Sequence, residues 1–293
     1  MSRLLATLAN SGLVVNHLGF ARALQRLPAL SWLLRLRLSP EILVKLNELP
    51  SDEESGLLYA AAVSRMRTGT VVKAVDPDRN ALTDECVLRL VRGEGLARIC
   101  DVGASDGSAS LRLLKELPDV EVRLFDRFTF FLICRRPLGC EILNADGEPV
   151  YRRVGPFLFY VYGQRAPRER RVGCGRVEIR NPLLRPLNAR VEPLDVFAGT
   201  AGVRFQLIKC CNLLNDDYFS GETLISGVEN LLRQLEENGY LVIGQNNPSY
   251  RQGEAFLVLK RVASGTRLVE ARNDHKLLAL LRRERPEFFR SGP

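Results

Sequence analysis

One short segment of the chain combines glycines and acids in a pattern that could hold a small ligand. An apolar run from Ala97 to Val102 overlaps residues 101–107 (DVGASDG), and leucines at helical spacing follow up to Leu117. This pattern predicts a strand, a tight bend and a helix. Gly103 and Gly107 would let the backbone approach a ligand where a Cβ would clash. We therefore expect a ligand crevice at the carboxyl end of a strand, beside a helix N-terminus that Ser105 or Asp106 can cap.

The spacing and the charge of this bend argue against a phosphate ligand. The glycines do not fit the dinucleotide pattern G-x-G-x-x-G, and the chain contains no G-x-x-x-x-G-K-[ST] segment. Asp101 and Asp106 flank the bend, and their carboxylates would repel a phosphate group. They suit a ligand that carries an ammonium group and ribose hydroxyls, and S-adenosylmethionine has both.

With these residues the chain resembles the class I S-adenosylmethionine-dependent methyltransferases. Their first motif reads acid-x-Gly-x-Gly-x-Gly, and residues 101–107 match it with Ser105 at the middle glycine. Glu121 to Asp126 resembles their second strand, whose terminal acid binds the ribose hydroxyls. Asn230 to Gln245 resembles the helix, glycine turn and fifth strand that close the cofactor-binding half. The resemblance extends from Ala97 to Arg272 and is interrupted by a long insertion.

The resemblance implies a set of cofactor-binding residues at the ends of consecutive strands. They are Asp101, Gly103, Ser105, Gly107, Asp126, Asp195 and Asn212. An ionised Asp126 could accept two strong hydrogen bonds from a ribose diol, or it could simply cap the end of its strand. Asp195 could accept a bond from the adenine amino group, and Asn212 would face the same crevice.

The catalytic residues cannot be assigned from the sequence. Methyl transfer from a sulfonium needs a general base only when the acceptor is protonated. Several polar residues follow the predicted fourth strand, where the resembling family tends to place acceptor-side groups: Lys209, Asn212, Asp216, Asp217 and Tyr218. His275 is expected on the surface, and Cys210 and Cys211 are expected to be buried apolar residues, since no histidine is spaced to activate a thiolate.

A second, narrower resemblance concerns the chemoreceptor glutamate methyltransferases. These proteins carry an Arg-Asn pair after strand four and a helical N-terminal domain. Asn212 matches this pair, whereas Cys211 replaces the arginine.

The elements that must position these residues predict an α/β protein. The resemblance implies a Rossmann-like sheet of seven strands, mostly parallel, that closes with an antiparallel hairpin. The third and fourth strands are predicted at residues 189–193 and 205–210, and two helices at residues 106–117 and 222–237. Residues 1–81 are predicted to form a helical cap, and residues 82–293 the methyltransferase domain, with a β-rich insertion at about 127–188. Within that insertion, an Asp-Gly turn predicts a hairpin of residues 140–143 and 149–153, and a basic piece follows at 165–190.

Composition limits the class of protein and its partners. The 293 residues carry a net charge of +8, which leaves nucleic acid and an anionic membrane surface open as partners without favouring nucleic acid. Seven scattered cysteines without a C-x-x-C pair, together with two histidines, predict reduced thiols in a cytoplasmic protein and no metal site. No apolar run approaches the roughly 20 residues that a membrane span requires.

Two functions of different classes follow from these features. The first is transfer of a methyl group from S-adenosylmethionine to an O, N or C nucleophile of an unidentified, acidic or amphiphilic acceptor. The second is a non-catalytic, methyltransferase-like module that binds RNA or an anionic membrane surface. The sequence does not indicate an oligomeric state.

Overall fold

A computed structural model describes residues 11–26, 35–69, 73, 75, 79–162 and 173–289 of the chain. Contacts divide the chain into two compact units. Unit 1 comprises residues 1–76 and 128–188, and unit 2 comprises residues 77–127 and 189–293. The N-terminal segment and the inserted segment therefore share one unit, whereas the sequence-based division treats them as separate parts.

The helices and strands of the described residues are numbered in chain order. The strands are β1 (Gly12–Val14), β2 (Leu36–Arg37), β3 (Arg98–Val102), β4 (Glu121–Asp126), β5 (Phe130–Arg136), β6 (Gly139–Leu143), β7 (Pro149–Val154), β8 (Phe157–Tyr160), β9 (Cys174–Glu178), β10 (Val191–Pro193), β11 (Phe205–Cys211), β12 (Leu235–Asn246), β13 (Glu254–Val262) and β14 (Gly265–Arg272). The helices are α1 (Leu18–Arg26), α2 (Ile42–Leu46), α3 (Glu53–Val63), α4 (Ala81–Glu94), α5 (Leu111–Glu116), α6 (Gly221–Arg233) and α7 (Lys276–Glu284).

Unit 2 is built on a seven-stranded sheet in the order β10-β4-β3-β11-β12-β13-β14. The first five of these strands are parallel to their neighbours, and β13 and β14 are antiparallel. This arrangement confirms the predicted Rossmann-like fold, including the closing hairpin. The third strand in particular lies where the sequence places it, since Val191–Pro193 pairs with the end of β4.

Helices cover both faces of this sheet because its strands are apolar on both sides. Leu207 and Val242 pack with α4 and α5 on one face, whereas Ile208 and Ile243 pack with α6 and α7 on the other. The start of α4 is held by a buried side chain from β13. Glu254 accepts the N–H groups of Leu82 and Thr83, each at 2.9 Å, which satisfies free donors at the helix N-terminus.

Two predicted helices are shorter in the structure. The helix predicted for residues 106–117 begins as a 3-10 turn at Ser108–Ser110 and continues as α5 only to Glu116. The helix predicted for residues 222–237 ends at Arg233, because Leu235 already pairs with Phe205 in the sheet. At Leu235 tertiary pairing overrides local helix propensity.

Unit 1 contains a second seven-stranded sheet, in the order β2-β1-β8-β7-β6-β5-β9. The predicted Asp-Gly hairpin is confirmed as β6 and β7. The N-terminal segment is not purely helical, since β1 and β2 join this sheet at its edge. One face packs on α2 and α3 through buried residues such as Leu43, Tyr59 and Phe131. Residues 165–172 of the predicted basic piece lie outside the described residues.

The expectation that all cysteines are reduced is wrong for one pair. Cys134 and Cys174 face each other across β5 and β9 and form a disulfide. The other five cysteines are free and buried. The two partners are 40 residues apart in the sequence, so no spacing pattern marks them as a pair.

Among the described residues, no helix is both long enough and apolar enough to cross a membrane.

Candidate functional site

The bend predicted to hold a ligand lies where the strand order of unit 2 reverses. From β3 the chain continues outwards through β4 and β10 on one side, and then returns to β11 and β12 on the other. In open α/β sheets, ligands bind at such a switch point, beyond the carboxyl ends of the strands. Residues 103–107 follow β3 directly and therefore occupy this position.

The backbone of the bend adopts a conformation that favours glycine at three positions. Gly103 and Gly107 have φ angles of 83° and 86°, and Ser105 has a φ of 57°. A serine in this region is uncommon, and such conformations concentrate at functional sites. A Cβ on Gly103 would also lie 3.3 Å from the side chain of Leu213. The bend thus needs Gly103 both for its conformation and for the close approach of Leu213.

Asp126 and the bend lie in direct contact. The Ser105 N–H donates to Asp126 Oδ2 at 2.9 Å. The Gly103 and Ala104 N–H groups donate to the carbonyl of Phe125, the preceding residue, at 2.8 and 2.9 Å. These hydrogen bonds join the end of β4 to the bend, and the half-buried Asp126 carboxylate lies beside the bend.

Two further backbone N–H groups, one in the bend and one just after it, also bond within the protein. Gly107 N–H donates to the Ala104 carbonyl at 2.8 Å, and Ser108 N–H donates to Asp106 Oδ1 at 3.0 Å. Asp106 thus holds the first residue of the 3-10 turn, but the N-cap position of that turn is Gly107 and not Ser105 or Asp106 as the sequence predicts. Loops that bind phosphate aim such N–H groups at the ligand. Because these N–H groups already donate within the protein, the bend does not suit a phosphate ligand.

The Ser105 hydroxyl is the polar group of the bend that lacks such a partner. Ser105 Oγ is buried, and no hydrogen-bond partner for it exists among the described residues. A buried hydroxyl without a partner loses its hydration at a free-energy cost. A polar ligand group over the bend would remove that cost.

Asp101 lies beneath the bend in a buried ion-pair network. Its Oδ2 accepts bonds from Lys209 Nζ at 2.8 Å and from Ser110 Oγ at 2.7 Å. Lys209 Nζ also lies 2.8 Å from Asp84 Oδ1, on α4. Asp101 therefore joins β3 to the helical segment after the bend and to β11, and in this way it fixes the position of the bend.

Two carboxylates share one ammonium group in this buried network, and the pKa values of Lys209 and Asp84 are shifted. Burial alone would lower the pKa of Lys209, but Asp101 and Asp84 outweigh it and raise the pKa above its usual range. Burial raises the pKa of Asp84 to about 6, although Lys209 opposes that shift. Lys209 was expected on the acceptor side of the crevice, and this expectation is wrong, since its side chain is fully buried in the network.

Asp195 follows β10, on the far side of β4 from β3. The Leu194 N–H donates to the Asp126 carbonyl at 3.1 Å, so the ends of the two strands adjoin. The Asp195 carboxylate accepts the Phe197 N–H at 3.0 Å and pairs with Arg127 Nη1 at 3.3 Å. Its role towards adenine stays a prediction.

Asn212 lies at the end of β11, on the other side of β3, within a cluster of amide side chains. Its Nδ2 donates to Asn80 Oδ1 at 3.0 Å and to Asn246 Oδ1 at 2.8 Å, and its Oδ1 accepts the Asn246 N–H at 2.7 Å. These bonds join the carboxyl ends of β11 and β12 to the segment before α4. The side chain thus fixes the carboxyl ends of these strands, and its role towards a cofactor stays a prediction.

The other candidate chemical groups have different outcomes. His275 was expected on the surface, which is wrong, because it is buried and its Nδ1 accepts the Leu277 N–H at 3.2 Å to cap α7. Burial lowers the pKa of His275 to about 4, so its ring is neutral at neutral pH. Cys210 and Cys211 are buried as predicted, and burial raises the pKa of both thiols. Asp216, Asp217 and Tyr218 are exposed.

Several residues of the site escaped the sequence analysis. Asp84, Asn80 and Asn246 contribute the network and the amide cluster, and Leu213 covers Gly103. Asp84 in an otherwise apolar helix face was the available signal, because an acid there needs a buried partner. Within the described ranges, no group of three or more His, Cys, Asp and Glu side chains could hold a metal ion.

Comparisons with known proteins give distant structural likenesses. No protein-family model and no curated protein matches the chain. Similar solved structures include the apo form of the S-adenosylmethionine-dependent methyltransferase SibL, at 13% identity and a TM-score of 0.35, covering 69% of this chain and 42% of that one. An O-methyltransferase family protein from Burkholderia thailandensis has 9% identity and a TM-score of 0.36, with coverage of 68% and 43%. The sugar N-methyltransferase KedS8 from Streptoalloteichus sp has 16% identity and a TM-score of 0.36, with coverage of 70% and 78%.

The chain therefore matches less than half the length of the first two of these structures. The case for a function rests on the geometry of the bend and on the residues around it.

Proposed function

We propose that this protein is an S-adenosylmethionine-dependent methyltransferase whose cofactor binds over residues 103–107. The contact between the Ser105 N–H and Asp126 Oδ2 at 2.9 Å carries the proposal. It places a half-buried carboxylate beside a glycine bend at the switch point of a parallel sheet. An adenosyl sulfonium suits this arrangement, because its ribose diol can bond to an acid and it carries no phosphate that would need backbone donors.

The residues of the bend fit this cofactor. The positive φ angles at residues 103 and 107 favour glycine, and glycine leaves the bend without side chains at these two positions. Asp126 would hold the ribose hydroxyls, because a carboxylate can accept several hydrogen bonds. Ser105 Oγ would gain the partner that it lacks among the described residues. Asp195 would reach towards the adenine amino group.

The chemistry asks little of the protein beyond alignment. When bound, the cofactor supplies an electrophilic methyl group. The chain's own residues would hold that group in line with the acceptor, and the rigid bracing of the crevice by Asp101 and Asn212 serves this positioning. No side chain is assigned as a general base, and the neutral, buried His275 is not one.

Transfer of a radiolabelled methyl group into a cell extract tests the proposal. We expect label in an extract component with the wild-type chain and a loss of about ten-fold or more with Asp126→Ala, because one side chain of the diol site is removed. Glu121→Ala is the matched control, since Glu121 begins the same strand and lies half exposed at its far end. Cofactor binding without any transfer of label would instead support a non-catalytic module.

A further inference from the structure

Unit 1 exposes a cluster of large apolar side chains at one end of its sheet. The described residues include ten exposed large apolar side chains, and five of them lie together. We call these five the apolar edge: Leu13, Leu138, Val154, Phe157 and Phe159. Leu138 is 78% exposed and the other four are 41–49% exposed.

The strand register brings these residues side by side. Phe157 pairs with Leu13 on one neighbouring strand and with Val154 on the other. Leu138 sits in the turn between β5 and β6, and its carbonyl accepts the Gly155 N–H at 2.9 Å, so this turn adjoins the turn between β7 and β8. Four of the apolar side chains thus project from three neighbouring strands, and Leu138 projects from a turn next to them. Exposed apolar clusters of this kind mark interaction sites.

Arginines flank the apolar edge on the same face. Arg152 pairs with Phe159 across β7 and β8, and Arg136 lies two residues before Leu138. Both arginines reach the buried Glu141 at 3.4 Å, which leaves this group one positive charge in excess.

The charge of the whole chain is concentrated in the unit that carries this edge. Unit 1 contains 20 Lys and Arg against 11 Asp and Glu, for a net charge of +9. Unit 2 contains 22 against 23, for a net charge of −1. The partner of unit 1 should therefore be anionic and should also accept apolar side chains.

We propose that the apolar edge docks on the surface of an anionic lipid bilayer. Leu13, Leu138 and Val154 are aliphatic and cannot stack on nucleic-acid bases, whereas they suit the boundary between headgroups and acyl chains. Phe157 and Phe159 suit the same boundary, and the arginines suit lipid phosphates. This inference is independent of methyl transfer, and its test requires no cofactor.

Flotation of the full chain with lipid vesicles tests the docking. We expect binding to phosphatidylcholine vesicles that contain about 30% phosphatidylserine, weaker binding to pure phosphatidylcholine, and release by salt. The double variant Leu138→Ser/Phe157→Ser should bind at least about ten-fold more weakly than the wild type, since both apolar side chains that enter the bilayer would be lost. The control is Val44→Ser/Val269→Ser, which removes two apolar side chains that are 47% and 46% exposed outside the edge.

Because the substituted residues are exposed, both variants should keep the unfolding midpoint of the wild type. The unfolding midpoints are measured before the flotation. The proposal is overturned if the wild type does not float, or if both double variants float equally well. It is also overturned if an oligouridine binds the wild type and loses binding in Leu138→Ser/Phe157→Ser, since the edge would then recognise nucleic acid.

Discussion

At the scale of single residues, the acids near the bend differ because their surroundings differ. Asp126 ends β4 half-buried and beside the bend, where a ligand can reach it. Asp101 and Asp84 are buried on either side of the Lys209 ammonium group. The acid of the glycine motif and the strand-end acid were readable from sequence. The Lys209 network was not, because its members come from three elements that only the fold brings together.

The burial of the Asp84 carboxyl group predicts a pH dependence of stability, although the Lys209 ammonium group opposes it. Its pKa is raised by burial from 3.8 to about 6 in the folded state, so between these values the folded protein binds the proton more tightly than the unfolded chain does. The stabilisation from this group is therefore full below pH 4 and is lost as the pH rises through 6. The loss is on the order of 3 kcal/mol.

The Asp84→Asn variant removes this titration while keeping the shape of the side chain. Urea unfolding of both proteins between pH 4 and 7 should show the wild type losing stability relative to the variant as the pH rises. A difference in unfolding free energy that stays constant over this range would show that Asp84 does not titrate as described.

At the scale of elements, close contacts fix how the helices sit on the strands of unit 2. Gly244, near the end of β12, lies against α4, where a Cβ would come within 2.5 Å of Thr83 Oγ1 and 2.9 Å of Cys211 Sγ. Strand and helix positions were largely predictable from apolar periodicity. The ends of the helices were not, since pairing of Leu235 in the sheet decides where α6 stops.

Gly244→Ala should therefore destabilise the protein by about 1–3 kcal/mol, because the packed neighbours must move. Gly93→Ala is the matched control within α4, since a Cβ there meets nothing within 4 Å and removes a flexible residue from a helix. It should stabilise by about 0.5–1 kcal/mol. Chemical unfolding measures both changes, and equal effects of the two substitutions would contradict the packing described.

The disulfide between β5 and β9 gives a prediction for unit 1. It closes a loop whose ends are 40 residues apart, and the loss of unfolded-chain entropy should stabilise the unit by about 4 kcal/mol. Dithiothreitol should lower the unfolding midpoint of the wild type but not that of Cys134→Ser/Cys174→Ser. A wild-type midpoint unchanged by the reductant would indicate that the two thiols are not joined.

At the scale of the whole molecule, the two units, each with a sheet of seven strands, differ in charge and in the features that they carry. Unit 2 carries the glycine bend and a charge near zero, whereas unit 1 carries the excess of arginine and the apolar edge. The α/β class of unit 2 was predictable because strands and helices alternate locally in the sequence, whereas the seven-stranded Rossmann-like sheet was expected from the family resemblance. The union of an N-terminal and an inserted segment in unit 1 was not predictable, because it depends on pairings between distant strands such as β1 with β8.

The proposed function requires that an adenosyl sulfonium binds at the junction of Asp126 and the bend. Isothermal calorimetry with S-adenosylmethionine measures this on the wild type, Asp126→Ala and Glu121→Ala. We predict saturable binding for the wild type and Glu121→Ala, and affinity at least about ten-fold weaker for Asp126→Ala. Absence of heat at millimolar cofactor with the wild type, or an unchanged affinity in Asp126→Ala, would contradict the account.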